Sequence, residues 1–256
     1  MNLLFEGIKY QLQAQKRHGI HSPFVYDLST NALGGQLPFS IKMCLSQFDE
    51  AQRSNPQIIE FKDFGAGSKN LNAARKVSEI HRISSSHKIG HLLYRLVQHY
   101  QPNSILELGT SLGRGALAMH LGHPEAKITT VEGCKAVAEI ARNNFQQYAP
   151  NPKQITLVNE PFSDFINALP SATFDLIYID GHHDGIALEK YCAALENYLH
   201  ENSLLLLDDI RWSESMFNAW KTLYASEKFH LSIDFFRIGM LMKRTSQHKE
   251  HFILKT

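Results

Sequence analysis

Five short apolar runs alternate with segments of helical periodicity: Ser104-Ile-Leu-Glu-Leu108, Ile128-Thr-Thr-Val131, Ile155-Thr-Leu-Val158, Phe174-Asp-Leu-Ile-Tyr-Ile179 and Leu204-Leu-Leu-Leu207. The fourth is almost continuously apolar, as a strand is when both faces of a parallel sheet are covered. Ile89, Leu92, Leu93, Leu96, Val97 and Tyr100 make a helical stripe that Pro102 terminates before the first run. Further helices follow from Gly113 to Gly122, through Ala136 to Phe145, from a Ser163 cap to Leu169, from Leu188 to Leu199 and from Met216 to Tyr224. Such β-α alternation predicts a parallel sheet with helices on both faces. The end differs, because His230–Asp234 and Ile238–Met242 are too close for an intervening helix and predict an antiparallel pair at a sheet edge.

The turn after the first run is Glu107-x-Gly109-x-x-x-Gly113, and the second run ends in Glu132, 19 residues past Gly113. In doubly wound folds, ligands sit outside the carboxyl ends of the strands, where glycines admit a close backbone approach and an acid accepts ribose hydroxyls. A dinucleotide fingerprint would need a glycine where Thr110 stands, and no Tyr-Lys pair is evident, so a nicotinamide oxidoreductase is disfavoured. The pattern resembles motif I of class I S-adenosylmethionine-dependent methyltransferases, especially the Glu-x-Gly form of catechol O-methyltransferase-like enzymes. That resemblance implies Glu107 near the methionine end of S-adenosylmethionine and the loop residues Gly109, Thr110, Ser111 and Gly113 along it. It also implies Glu132 with Gly133 at the ribose. Phe162, after the third run, can pack on adenine, although core packing is the more ordinary use of such a ring. The expected fold is a mostly parallel seven-stranded α/β sheet in residues 86–256. Residues 1–85 form a mostly helical appendage or cap.

Asp180-Gly-His-His183 ends the fourth run and Asp208-Asp209 the fifth. Parallel neighbours open on the same side, so these carboxylates can converge with the glycine loop. Oxygen-rich clusters suit Mg²⁺, which activates a hydroxyl and positions it. The arrangement resembles metal-dependent O-methyltransferases of the catechol and macrocin types, which implies Asp180, Asp208 and Asp209 as metal ligands, Asp180 also beside the cofactor, and His183 as general base. His182 is the alternative base. The plainer uses are a helix cap for Asp208 or Asp209 near Ser213 and a tight turn for Asp180 with Gly181. Lys88-Ile-Gly90 stands where related O-methyltransferases contact cofactor and equally suits a helix start, and Trp212 could wall a substrate pocket.

In the first 85 residues, Asp63-Phe-Gly-Ala-Gly-Ser68 is a rival glycine loop, but Ile58–Lys62 before it makes a poor buried strand. Leu71 to Ile83 reads as a helix. A net charge of +1 gives no footprint for nucleic acid, and no apolar stretch approaches the ~20 residues of a membrane span. Three scattered cysteines fit a reducing cytoplasm. The expectation is therefore a cytoplasmic, Mg²⁺-assisted methyltransferase acting on a small-molecule hydroxyl, with a homodimer compatible. The rivals are a non-catalytic cofactor-binding or regulatory protein on the same fold, and an aminopropyltransferase.

Overall fold

The computed structural model describes residues 3–15, 20–62, 72–84 and 87–255. The N-terminal part contains α1 (Leu3–Gln13), α2 (Pro23–Asp27) running into a π-helical turn, α3 (Phe39–Arg53), the hairpin β1 (Ile58–Lys62) and β2 (Asn72–Lys76), and α4 (Val77–Ser84). Helix α5 (His87–Tyr100) then delivers the chain into β3 (Ser104–Leu108). The alternation continues as α6 (Arg114–Gly122), β4 (Lys127–Val131), α7 (Lys135–Tyr148), β5 (Ile155–Val158), α8 (Phe162–Asn167), β6 (Phe174–Ile179), α9 (Gly185–Leu195), β7 (Leu199–Leu207) and α10 (Glu214–Ala225). Three short strands close it: β8 (Leu231–Asp234), β9 (Gly239–Met242) and β10 (Glu250–Ile253).

The main sheet has eight strands in the order β10-β8-β9-β7-β6-β3-β4-β5. Pairs β3–β4, β3–β6, β4–β5 and β6–β7 are parallel, and β9 runs antiparallel to both β7 and β8. After β5 the chain returns to place β6 on the free side of β3. That reversal makes the carboxyl ends of β3 and β6 the topological switch point, where such folds open a crevice.

Alternate strand residues feed two cores. Ile105, Leu176, Tyr178, Leu204 and Leu206 face one, and Leu106, Leu108, Ile177, Ile179, Leu205 and Leu207 face the other, with α8, α9 and α10. The first core also takes Val25, Leu28, Leu45, Phe48, Val77 and Ile80, so α2, α3 and α4 contribute to the core on that side of the sheet. Their polar anchor is Asp49 of α3, whose two oxygens accept from Arg114 Nε (2.8 Å) and a terminal nitrogen (3.0 Å).

Several boundaries differ from the sequence reading. Strand β10 pairs parallel with β8, so the β8–β9 pair is not the sheet edge and the seventh strand gains an eighth. The stretch expected as a helix from Leu71 begins as β2, because Asn72–Lys76 pairs with Ile58–Lys62 in a separate two-stranded sheet. Ile58–Lys62 is thus a strand, and only half-covered. Ser163 lies inside α8, whose N-cap is Pro161 without a side-chain cap, and Leu199 begins a strand rather than ending a helix. The Asp63–Ser68 segment lies outside the described residues. Among those described, no helix is long and apolar enough to cross a membrane.

Candidate active site

Gly109 follows β3 with φ +108°, and a Cβ there would stand 1.8 Å from the Asp180 carbonyl oxygen at the end of β6. Only a glycine lets the two strand tips meet so closely. Gly109→Ala is therefore expected to destabilise the fold by at least about 2 kcal/mol in urea unfolding, through backbone overlap and a left-handed φ together.

Beyond Gly109 the loop is fixed by Glu132 at the tip of β4. Its carboxylate accepts from the backbone N–H of Ser111 (2.9 Å) and of Cys134 (2.9 Å). Gly109, Ser111, Glu132, Gly133, Phe162 and Asp180 line a common cavity of about 520 Å³. Phe162, at the start of α8, is half-buried there and meets Tyr191 edge-on at 5.9 Å.

Three other loop residues lie beneath this cavity instead of on it. Glu107 is 1% exposed and accepts from Thr130 Oγ1, which in turn contacts Thr110 Oγ1 at 2.6 Å. Gly113 sits under α7, where a Cβ would meet the Phe145 ring at 2.7 Å. Burial pushes the Glu107 carboxyl up to about 8; the Thr130 hydrogen bond opposes this and Glu132 adds to it. The folded state thus holds a proton that the unfolded chain loses near 4.5. Its stabilising effect is complete below that pH and disappears as pH rises through about 8. Glu107→Gln, which stays neutral, is expected to remove that decline, a difference on the order of a few kcal/mol between about pH 5 and 8. Denaturant melts at stepped pH measure it.

At the other end of the cavity, Asp180, His183 and Asp209 each present one ligand atom, all within 4.8 Å of one another. His183 Nδ1 stands 3.9 Å from Asp209 Oδ2, and its ring lies 5.4 Å from Trp212. His182 turns aside to Tyr191, whose hydroxyl is 3.0 Å from Nδ1. His182, His183 and Asp209 have φ values of +68°, +30° and +51°, a left-handed backbone that non-glycine residues adopt at a cost. The turn is held by Asp184, which caps α9 through the Ala187 N–H at 2.9 Å. Ser213 caps α10, so neither Asp208 nor Asp209 serves that plainer purpose.

The carboxylates do not converge as three equivalents. Asp208 is 2% exposed and accepts from the Tyr178 hydroxyl (2.9 Å), its neighbour's N–H (2.7 Å) and Arg237 Nε (3.0 Å). The trio within reach of one ion therefore contains His183 where the sequence suggested Asp208. Burial raises the Asp180 carboxyl well above its usual range, with Asp208 and Asp209 adding to it. Burial likewise lifts Asp209 to about 6, Asp208 contributing and Arg237 opposing.

Arg237 is the residue the sequence reading missed. It arrives on the connection between β8 and β9, with Nε 2.9 Å from Asp209 Oδ1 as well as 3.0 Å from Asp208. Its only sequence signal is its place in Phe235-Phe-Arg237, between two terminal strands. Lys88 and Ile89 fall in the first turn of α5, away from this cavity, and Gly90 gives room to the Arg114 guanidinium.

A methyltransferase-domain family profile matches residues 106–210, the span from β3 to the end of β7 that carries this loop and both acidic clusters. Over that span the chain is similar to methyltransferase domains. Catechol O-methyltransferase of Mycobacterium tuberculosis is 32% identical over 109 residues, 42% of this chain and 49% of that protein. The chain spans about half the length of the sequence relatives it matches. Among solved structures, the SAH-bound methyltransferase PaMTH1 of Podospora anserina has a TM-score of 0.56 at 18% identity, over 82% of this chain and 99% of that one. An O-methyltransferase of Bacillus cereus in complex with SAH has a TM-score of 0.55 at 15% identity, over 91% and 100%. These two likenesses concern the fold. Within the matched span, Gly109, Ser111, Glu132 and the Asp180–His183 turn all border the switch-point cavity.

Proposed function

We propose that the protein transfers the methyl group of S-adenosylmethionine to a hydroxyl of a small-molecule acceptor. The observation that carries this reading is the single cavity joining Gly109, Ser111 and Glu132 to Asp180, His183 and Asp209. Glu132 would accept the ribose hydroxyls, Gly109 and Gly133 keep the backbone bare beside the cofactor, and Phe162 packs on the adenine. Glu107, Thr110 and Gly113 act from below by fixing the loop. The β1–β2 hairpin and α4 would serve as a cap, since Phe61, Lys62, Arg75 and Ile80 line the same cavity.

S-adenosylmethionine supplies an electrophilic methyl, and the acceptor oxygen bonds to it as the sulfur–carbon bond breaks and its electron pair returns to sulfur. His183 is placed to take the hydroxyl proton, and its ring is steadied by Trp212. The carboxylates of Asp180 and Asp209 suit a divalent cation such as Mg²⁺ in donor type and spacing, and His183, kept as the base, would stand beside the ion and not on it. Such an ion lowers the pKa of a hydroxyl bound to it. Arg237 already balances part of the carboxylate charge, which favours a second reading without metal. Chelation decides between them: EDTA-treated protein is expected to lose most turnover and regain it with Mg²⁺, and undiminished turnover would assign the charge balance to Arg237.

The reading as a whole is tested with methyl-labelled S-adenosylmethionine and a panel of catechols, phenols and matched amines. Label on a hydroxyl oxygen with one S-adenosylhomocysteine released per transfer is expected. Label on the amines instead, or on no acceptor, contradicts it.

A further inference from the structure

A second cavity, about 710 Å³, borders the acidic cluster and shares the lining residues Asp209, Trp212 and Arg237 with the cofactor cavity. Its volume is in the range of sites that enclose small organic ligands. Nothing in the methyl-transfer reading uses it. One side is α1, which is pinned to the body by the Tyr10 hydroxyl on the Leu254 carbonyl and by Tyr10 against Phe236 at 5.2 Å. The lining is mainly apolar, with Ile89 and Leu92 from α5 facing Phe235 and Phe236 from the β8–β9 connection.

Its charges are one-sided. Arg211 is neutralised by Asp234 through two hydrogen bonds of 2.8 and 2.7 Å, and Arg237 by Asp208 and Asp209. Lys88 and Lys255 remain, both exposed at the cavity, and neither makes an ion pair with a described residue. Asp209, already engaged by Arg237, is the only carboxylate on the wall among the described residues.

We infer that this cavity is the acceptor site and that the acceptor is an amphipathic anion, with a hydroxyl-bearing end at Asp209 and His183, an apolar body along Phe235 and Phe236, and an anionic group at Lys88 and Lys255. The inference rests on the methyl-transfer reading for which end is methylated, whereas the charge preference is a property of the cavity itself. An apolar body explains the aromatic wall, and the anion explains two cations that have no ion-pair partner among the described residues. A cationic acceptor would meet like charges at both lysines.

The test is calorimetric binding of ω-(3,4-dihydroxyphenyl)alkanoates with chains of increasing length, their methyl esters, and the corresponding amines. The catechol end is constant and only the distal charge changes. For at least one chain length the carboxylate is expected to bind about tenfold or more tighter than its ester, with the amine weakest. In the Lys88→Glu, Lys255→Glu double variant the order of acid and amine is expected to reverse. S-adenosylhomocysteine affinity, titrated on the same samples, is expected to be unchanged, because neither lysine lines the cofactor cavity. Equal binding of acid, ester and amine, binding of none of them, or a preference unaltered by the double variant would overturn the inference while leaving the cofactor reading intact. Absence of S-adenosylhomocysteine binding would instead strike the methyl-transfer reading and leave the charge preference to stand or fall on the alkanoate data.

Discussion

Asp209→Asn is expected to lower turnover by at least about a hundredfold while leaving S-adenosylhomocysteine affinity within about twofold of the parent protein. Asparagine is the informative replacement because it tolerates the left-handed backbone at φ +51° and keeps the shape of the side chain. What disappears is the negative charge facing His183 Nδ1 at 3.9 Å and one of the groups available to an ion. Arg237 retains Asp208 at 3.0 Å, so the ion pair that neutralises the buried Asp208 survives and the melting temperature is expected to stay close to that of the parent. Asp180→Asn is expected to behave in the same way. Loss of cofactor affinity comparable to the loss of turnover would move both aspartates from the acceptor side to the cofactor side.

Glu132→Ala is expected to do the converse, weakening S-adenosylhomocysteine binding by roughly ten- to a hundredfold, as the loss of a charged hydrogen-bond acceptor does. Two effects add. The ribose loses its acceptor, and the N–H groups of Ser111 and Cys134, each bonded at 2.9 Å, lose the carboxylate that shapes the loop. Glu132→Gln separates them, since an amide oxygen can keep one of the two backbone bonds without the charge. It is expected to fall between alanine and the parent. Calorimetry on the three proteins provides the measurement, and equal affinities would remove Glu132 from the cofactor site.

The parts of this site that were legible in the sequence are those set by strand ends. A β-α alternation places Gly109, Glu132, Asp180 and Asp209 at adjacent carboxyl tips by connectivity alone, and they border one cavity. Side-chain direction was not legible. Asp208 and Asp209 are consecutive, and only the packing of Tyr178 and Arg237 turns the first inward and leaves the second at the cavity. The choice between His182 and His183 similarly depends on Tyr191, which lies nine positions on and holds His182 away from Asp209. Arg237 and the second cavity were invisible for a different reason. They depend on residues from α1, α5 and the β8–β9 connection, which the fold brings together over more than 200 positions of sequence. Strand β10 was missed because Glu250–Ile253 is short and only Phe252 of its side chains is buried.

The most direct measurement is thermal melting of the parent protein with S-adenosylhomocysteine, NAD or spermidine in parallel. A ligand at about 100 times its dissociation constant stabilises by roughly 2.7 kcal/mol, enough to raise the midpoint by a few degrees in a chain of this size. A rise with S-adenosylhomocysteine alone, lost in Glu132→Ala, is the result expected if the switch-point cavity is a methyl-donor site. No rise with it, or a larger one with NAD or spermidine, would contradict that assignment.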